Sequence, residues 1–390
     1  MGADYGLQGL RVALVHDWLT GLRGGERVLD CLARVFPQAD LFTLFKTARL
    51  TPAIEALSCT CSPIQRLPGL KGLYRHFLPL FPWAVSRLDL SGYDLVISTS
   101  HCVAKGALPR GGALHLSYVF TPMRYIWDLY PIYFGRRNLF IRATMRPLAW
   151  HLRQWDRRSC SRVHHLACIS QHVAERIRRH WGREAEVIHP PLETDRFYIG
   201  PPGDYYLIVS ALAPYKGLDL AVRAAHRTGF QLIIAGQGQE MARLKKLAGP
   251  TVRLLGRVSD QEAADLYANC RAFIFPGEED FGITPLEAMA SGKPVIALGW
   301  GGVWETVIPA NPQGAGPPGA ASRPAQPPTG IFFYQPSPQA LIEALEDFEA
   351  APDRFEPQAQ RTWASRFDQS VFIDRFKDFV ARAWAEHRRA

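Results

Sequence analysis

"RAFIFPGEEDFGITPLEAMASGKPVIAL" runs from Arg271 to Leu298. Its ends, 271–277 and 293–298, are short apolar runs with the composition of buried strands, and 284–290 between them has helical character. A strand, a short helix and a second strand this close together place the two strands parallel, with the helix on one face of the sheet. Two glutamates, Glu279 and Glu287, stand on either side of Gly282, with seven residues between them. A structural reading makes "TPLE" a capping box, with Thr284 as the cap, Pro285 first in the helix and Glu287 three residues after the cap. Glu279 is then a solvated loop acid. A functional reading uses the same geometry. Gly282 lets the backbone approach a ligand closely, and the amides of Phe281, Gly282, Ile283 and Thr284 at a helix start form an anion site. The flanking carboxylates are suited to accept hydrogen bonds from paired hydroxyls.

The same alternation extends in both directions. "RVALVHD" (11–17), "YDLVISTS" (93–100), "LHLSYVF" (114–120) and "HLACIS" (165–170) read as strands in the first half; "YYLIVSAL" (205–212) and "QLIIAG" (231–236) join the two strands above in the second. Helical stretches at 217–227, 239–248 and 259–268 lie between. The expectation is an α/β chain of two Rossmann-like, doubly wound parallel-sheet domains facing each other across a cleft, with ligands beyond the C-terminal strand ends. A Pro- and Gly-rich hinge covers 187–206, and "PANPQGAGPPGAASRPAQPPTG" (309–330) reads as a mobile loop insertion. The expected domains are 1–190, 205–360 and a helical tail, 361–390, packing back on the first.

A chain of 390 residues, 47% hydrophobic and 21% charged, is a globular sequence large enough for two cores. No apolar run is long enough to span a bilayer, and no secretory signal opens the chain. Of seven cysteines only Cys59 and Cys61 are close, and C-x-C alone is a weak zinc or redox signal. A reducing, cytoplasmic location is the simplest reading. The net charge of +9 is lopsided: residues 1–200 carry 26 Lys+Arg against 15 Asp+Glu, and 201–390 carry 19 against 21. The basic excess points to an anionic partner for the N-terminal half.

Taken with "LTGLRGGERVLD", "ISTSHCVAKG", "TPMRYIWD", "SALAPYKGLDLAV", "LLGRVSDQEAADLYANCRAFIFP" and "GGVWETV", the Glu279–Glu287 stretch resembles the E-x7-E signature of retaining GT-B glycosyltransferases of family 4. The resemblance covers most of the chain in order, and its flavour is similar to that of bacterial GDP-mannose-dependent mannosyltransferases. It implies that Glu279 contacts the donor sugar, that the backbone from Phe281 to Thr284 holds sugar and diphosphate, and that Glu287 binds the ribose. Lys216 would neutralise the diphosphate and aid the leaving group, Gly24 and Gly25 would cover it from the N-terminal domain, and Arg257 and Val258 would line the base. His101, with His16 as another candidate, would sit near the reaction centre, and Arg124 and Tyr125 would face the acceptor. Glu279, Lys216 and His101 are thus the expected catalytic set. The chain departs from the family pattern at Phe120, where relatives commonly have His, and near Ala211, where an Arg is usual before the lysine; Gly217 stands where some relatives have a second Arg.

No D-x-D motif stands where a metal would bridge a diphosphate, so neither metal nor cofactor is expected; helix ends and Lys216 would carry the phosphate charge. The segments 66–88 and 135–162 mix arginines with Trp, Phe and Leu, the second with eight Arg and one Asp. They read either as amphipathic helices packed on a core or as a surface for an anionic membrane. No nucleic-acid-binding module is recognisable. The expected function is transfer of a sugar, mannose foremost, to a lipid-linked or polysaccharide acceptor on the inner face of the cell membrane, where the protein would be peripheral. A UDP-sugar transferase and a non-catalytic nucleotide-sugar-binding or scaffold protein are the alternatives.

Overall fold

In the computed structural model, residues 9–135, 139–312 and 326–389 are described. The chain divides into two compact units, Met1–Pro191 with Ser370–Ala390, and Leu192–Gln369.

The first unit is built on seven parallel strands: β1 (Val12–His16), β2 (Asp40–Thr43), β3 (Ser58–Cys61), β4 (Leu95–Ser100), β5 (Leu114–Val119), β6 (His165–Cys168) and β7 (Glu186–Val187). Their order is β3-β2-β1-β4-β5-β6-β7. β1, β4 and β5 are buried along their whole length, which is why they read as continuous apolar runs rather than alternating ones: helices cover both faces. The long helix Leu139–Cys160 is tied to the loop after β4 by a fully buried ion pair, Lys105 Nζ to Asp156 Oδ1 at 2.5 Å. The indole N–H groups of Trp127 and Trp181 donate to the other Asp156 oxygen. The helix Gln369–His387 also belongs here, with Phe372 and Phe376 packed edge-on against Tyr118.

The second unit has six parallel strands: β8 (Tyr205–Val209), β9 (Gln231–Ala235), β10 (Val252–Gly256), β11 (Ala272–Phe275), β12 (Val295–Leu298) and β13 (Gly330–Phe333), in the order β10-β9-β8-β11-β12-β13. The helix Asp260–Asn269 opens with a true capping box: Ser259 Oγ accepts the Glu262 amide and the Glu262 carboxylate accepts that of Ser259. The helix Pro357–Ala364 stays with this unit, where Arg361 donates to the carbonyls of Phe197 and Ala290, both at 2.7 Å. Residues 313–325 of the expected loop insertion lie outside the described residues. Its base is pinned where Ala310 N donates to Gly330 O and Thr329 N to Ile308 O, both at 2.8 Å.

In each sheet the strand order reverses once, between β1 and β4 in the first unit and between β8 and β11 in the second. Ligands of open parallel sheets bind at the C-terminal ends of the strands that flank such a reversal. Loops carrying Asp17–Gly25 and His101 leave one switch point; loops carrying Lys216 and Glu279 leave the other.

Candidate functional site

In the second unit the loops after β8 and β11 are pressed backbone to backbone. Gly217 has φ +65°, and a Cβ there would lie 2.5 Å from Pro276 O; a Cβ on Gly277 would lie 2.7 Å from the Lys216 carbonyl carbon. Only glycines allow this approach, and it brings Lys216 Nζ into an ion pair with Glu279 Oε1, both side chains largely buried. The Glu279 carbonyl accepts the Gly302 amide at 2.8 Å, so the loop is also fixed from the β12 side.

The helix Ile283–Ala290 begins two residues before the capping-box reading places it. Its cap is Gly282, at φ +100°, and no side chain caps it. Thr284 is therefore inside the first turn, and Glu287 is too far into the helix to reach back to a cap. Of the two readings of this stretch, the capping box is therefore the one that fails: a left-handed Gly282 starts the helix, which leaves the amides of Ile283 and Thr284 at a helix start with no side-chain cap. Phe281 is buried and packs on Phe367, centroids 5.8 Å apart. Glu287 instead accepts from the Tyr267 hydroxyl at 2.8 Å. Tyr267 is fully buried, and burial, then the nearby Glu287 charge, pushes its phenol well above the ordinary value.

Arg257, exposed, and Val258, half-buried, follow β10 at the same end of the sheet. β10 lies three strand spacings from β11, about 14 Å.

In the first unit Asp17, at the end of β1, is fully buried. It accepts four backbone amides from the loop after β4: His101 and Cys102 at Oδ2 (2.7 and 2.9 Å), Val103 and Ala104 at Oδ1 (2.6 and 2.7 Å). The same Oδ2 holds His101 Nδ1 at 3.0 Å. Burial works to raise the Asp17 carboxyl, but the His101 charge and these hydrogen bonds outweigh it and hold it well below the usual carboxylate range. Burial works to lower His101, yet the Asp17 charge and hydrogen bond raise it above its ordinary value. Nδ1 being committed to Asp17, Nε2 is the nitrogen available for proton exchange. His101 keeps 34% side-chain exposure and sits edge-on to Trp18, centroids 4.6 Å apart.

His16 is buried, hydrogen-bonded to Thr99 Oγ1 at 2.7 Å and lowered to about 4 by burial, so it is neutral at physiological pH. Gly24 and Gly25 open the helix Gly24–Val35. A Cβ at Gly25 would lie 3.3 Å from the Phe120 ring, so Phe120 packs directly on the glycine turn. Glu26 accepts the Arg23 amide at 3.1 Å, and burial raises its carboxyl. Arg124 is half-buried; the Tyr125 hydroxyl is engaged with Cys102 Sγ at 2.8 Å.

The structure thus brings Lys216, Glu279, Gly282 and Glu287 to one end of the second sheet, and His101, Gly25 and Phe120 to the corresponding end of the first. Two partners escaped the sequence reading: Tyr267, in the interior of a helix, and Asp17. A carboxylate at the C-terminal end of an apolar strand was the available signal for Asp17; nothing local marks Tyr267.

Residues 195–362 match the family described as Glycosyl transferases group 1, and residues 22–196 match Glycosyltransferase Family 4. A GDP-mannose-dependent alpha-mannosyltransferase of Mycolicibacterium smegmatis is 35% identical over 147 residues, 36% of this chain and 39% of the relative. A GDP-mannose-dependent monoacylated alpha-(1-6)-phosphatidylinositol monomannoside mannosyltransferase of Corynebacterium glutamicum is 32% identical over 191 residues, 40% of this chain and 50% of the relative. The chain spans half or less of the length of these curated relatives. Anabaena HepE, solved in complex with UDP, superposes with a TM-score of 0.70 at 15% identity, over 96% of this chain and all of that one, which establishes the GT-B fold.

Proposed function

Because the chain belongs to the family 4 glycosyltransferases, we propose that it is a retaining transferase moving a sugar, mannose foremost, from a nucleotide-diphospho-sugar to a lipid-linked or polysaccharide acceptor. The observation that carries the reading is the Lys216–Glu279 pair beside the Gly282-initiated helix and the Tyr267-held Glu287. A diphosphate fits the helix start and Lys216, where positive charge and amide donors coincide. Glu287 takes the ribose hydroxyls and Glu279 those of the sugar. On donor binding Lys216 turns from Glu279 to the diphosphate and supports the departing nucleotide. The acceptor hydroxyl attacks from the face the phosphate leaves; the anomeric C–O bond to phosphate breaks as the new one forms, and the hydroxyl proton passes to the departing phosphate oxygen. Lys216 and the helix start carry the phosphate charge, so no metal is assigned to the step.

GDP-mannose is favoured because two of the relatives above are named for it. The first unit is assigned the acceptor. Its exposed Leu73, Leu80, Trp83, Ile132, Leu139 and Trp150, together with exposed arginines such as Arg75, Arg87, Arg142 and Arg146, suit an anionic leaflet. Among the described residues no helix is long and apolar enough to cross a membrane, and the assignment is peripheral attachment at the inner face. Calorimetry and turnover with GDP-, UDP- and dTDP-sugars, with and without EDTA, test the reading. GDP-mannose is expected to bind and turn over in chelator. Preference for a UDP-sugar moves the donor; binding without turnover of any donor favours the non-catalytic alternative.

A further inference from the structure

β3 is the outermost strand of the first sheet, and it reads Ser58-Cys59-Thr60-Cys61. Strand geometry sends residues two apart to the same face, and burial follows suit: Ser58 and Thr60 are exposed, Cys59 and Cys61 half-buried. The other five cysteines, Cys31, Cys102, Cys160, Cys168 and Cys270, are all buried. The two accessible thiols of the protein are therefore a neighbouring pair.

We propose that Cys59 and Cys61 form a chelating dithiol site for a thiophilic metal or metalloid centre that is satisfied by two sulfur donors. Residues two apart on a strand are separated by about 6.6 Å, more than the Cβ separation of roughly 3.5–4.5 Å that a disulfide demands. A bridging atom spans the pair without disturbing the strand; a direct sulfur–sulfur bond requires leaving it. Among the described residues no group of three or more His, Cys, Asp or Glu is placed to hold a metal, so the site does not offer the four ligands zinc takes in structural sites. The two side chains are also within hydrogen-bonding reach of each other, so both sulfurs converge on one point while the strand keeps its place.

Phenylarsine oxide is the probe. Its arsenic–oxygen bond gives way to two arsenic–sulfur bonds, the two thiol protons leave with the oxygen as water, and no electron is transferred. The full-length protein is expected to take up one equivalent by intact mass and to lose both of its readily titrated thiols together. A dithiol should strip the adduct and a monothiol at equal thiol concentration should not. Cys59→Ser and Cys61→Ser should each weaken uptake at least tenfold. The proposal is overturned if either variant takes up arsenical as the wild type does, if one thiol stays titratable in the adduct, or if a monothiol removes it equally well. The wild-type arms decide the matter even if a variant folds poorly.

Discussion

Tyr267 donates its phenolic hydrogen to Oε2 of Glu287 across 2.8 Å, and the ring that carries it is wholly buried. A carboxylate held by a rigid buried donor keeps a fixed orientation. That is what paired ribose hydroxyls require. With Glu287 on the ribose as proposed, Glu287→Gln should weaken charge-assisted bonds there and lower nucleotide affinity by roughly 1–3 kcal/mol, about ten- to a hundred-fold. Tyr267→Phe leaves the charge but frees the rotamer, and a smaller loss, about two- to tenfold, is expected. Calorimetric titration of free nucleotide checks both. Wild-type affinity in Glu287→Gln would make the Tyr267–Glu287 bond purely structural.

The Lys216–Glu279 pair divides its work differently. Glu279→Gln should leave free nucleotide binding within about twofold, because the sugar is absent from that ligand, while transfer falls on the order of a hundredfold as charge near the anomeric carbon is lost. Lys216→Met should weaken nucleoside diphosphate much more than nucleoside if the ammonium meets the phosphates as proposed. Equal losses for the two ligands would place Lys216 away from the diphosphate.

What the sequence displayed and what it hid differ in kind. The strands ending at His16, Ser100, Val209 and Phe275 were legible because buried parallel strands are unbroken apolar runs. The helix start at Gly282 was misplaced because Thr-Pro-x-Glu is an equally good capping signal, and only the left-handed backbone of Gly282 and the packing of the β11 loop decide between them. Ser259 and Glu262, with the same spacing, do form the box. Tyr267 and Asp17 were hidden for another reason: each acts on a partner far along the chain, 20 residues for Tyr267 and 84 for Asp17 with His101, and one sequence carries no signal of such pairing.

Asp17 and His101 give the first unit a pH signature. Asp17 is depressed, so its contribution to stability is present above its unfolded value near 3.8 and is lost as pH falls through the folded one. His101 is raised, so its contribution is complete below 6.5 and is lost as pH rises through its folded value. His16, lowered to about 4, runs the other way: its contribution is present above 6.5 and fades as pH falls towards 4. NMR titration should find His101 above 6.5 in the wild type. In Asp17→Asn, burial acts without its counter-charge, and the same imidazole should titrate below 6.5. The amide also turns donors toward the amides of His101–Ala104, costing roughly 1–3 kcal/mol for each group left unpaired in chemical denaturation. An unmoved His101 titration in Asp17→Asn would remove Asp17 from the site.

The proposed membrane attachment has its own geometry. Trp83 is 48% exposed with Arg87 over its ring, Trp150 is 58% exposed, and Leu139 78%. Side chains so far out of the core contribute little to folding, so Trp83→Ser and Trp150→Ser should leave the melting temperature nearly unchanged. At a bilayer the same side chains carry apolar area into the interface, while each nearby arginine adds about 1 kcal/mol at an anionic surface. Flotation should therefore recover the protein with vesicles containing anionic lipid and not with neutral ones. Recovery should fall as salt shortens the screening length from about 10 Å at 0.1 M towards 3 Å at 1 M, and the double Trp variant should float several-fold less at fixed salt. Apolar and electrostatic contributions are separable because the Trp substitutions act on the first and, in a weakly salting-out salt, screening acts mainly on the second. If neutral and anionic vesicles recover the protein equally, the arginines are merely a solvated face. If neither does, the exposed tryptophans serve some contact other than lipid, and the first unit must meet its acceptor without a membrane.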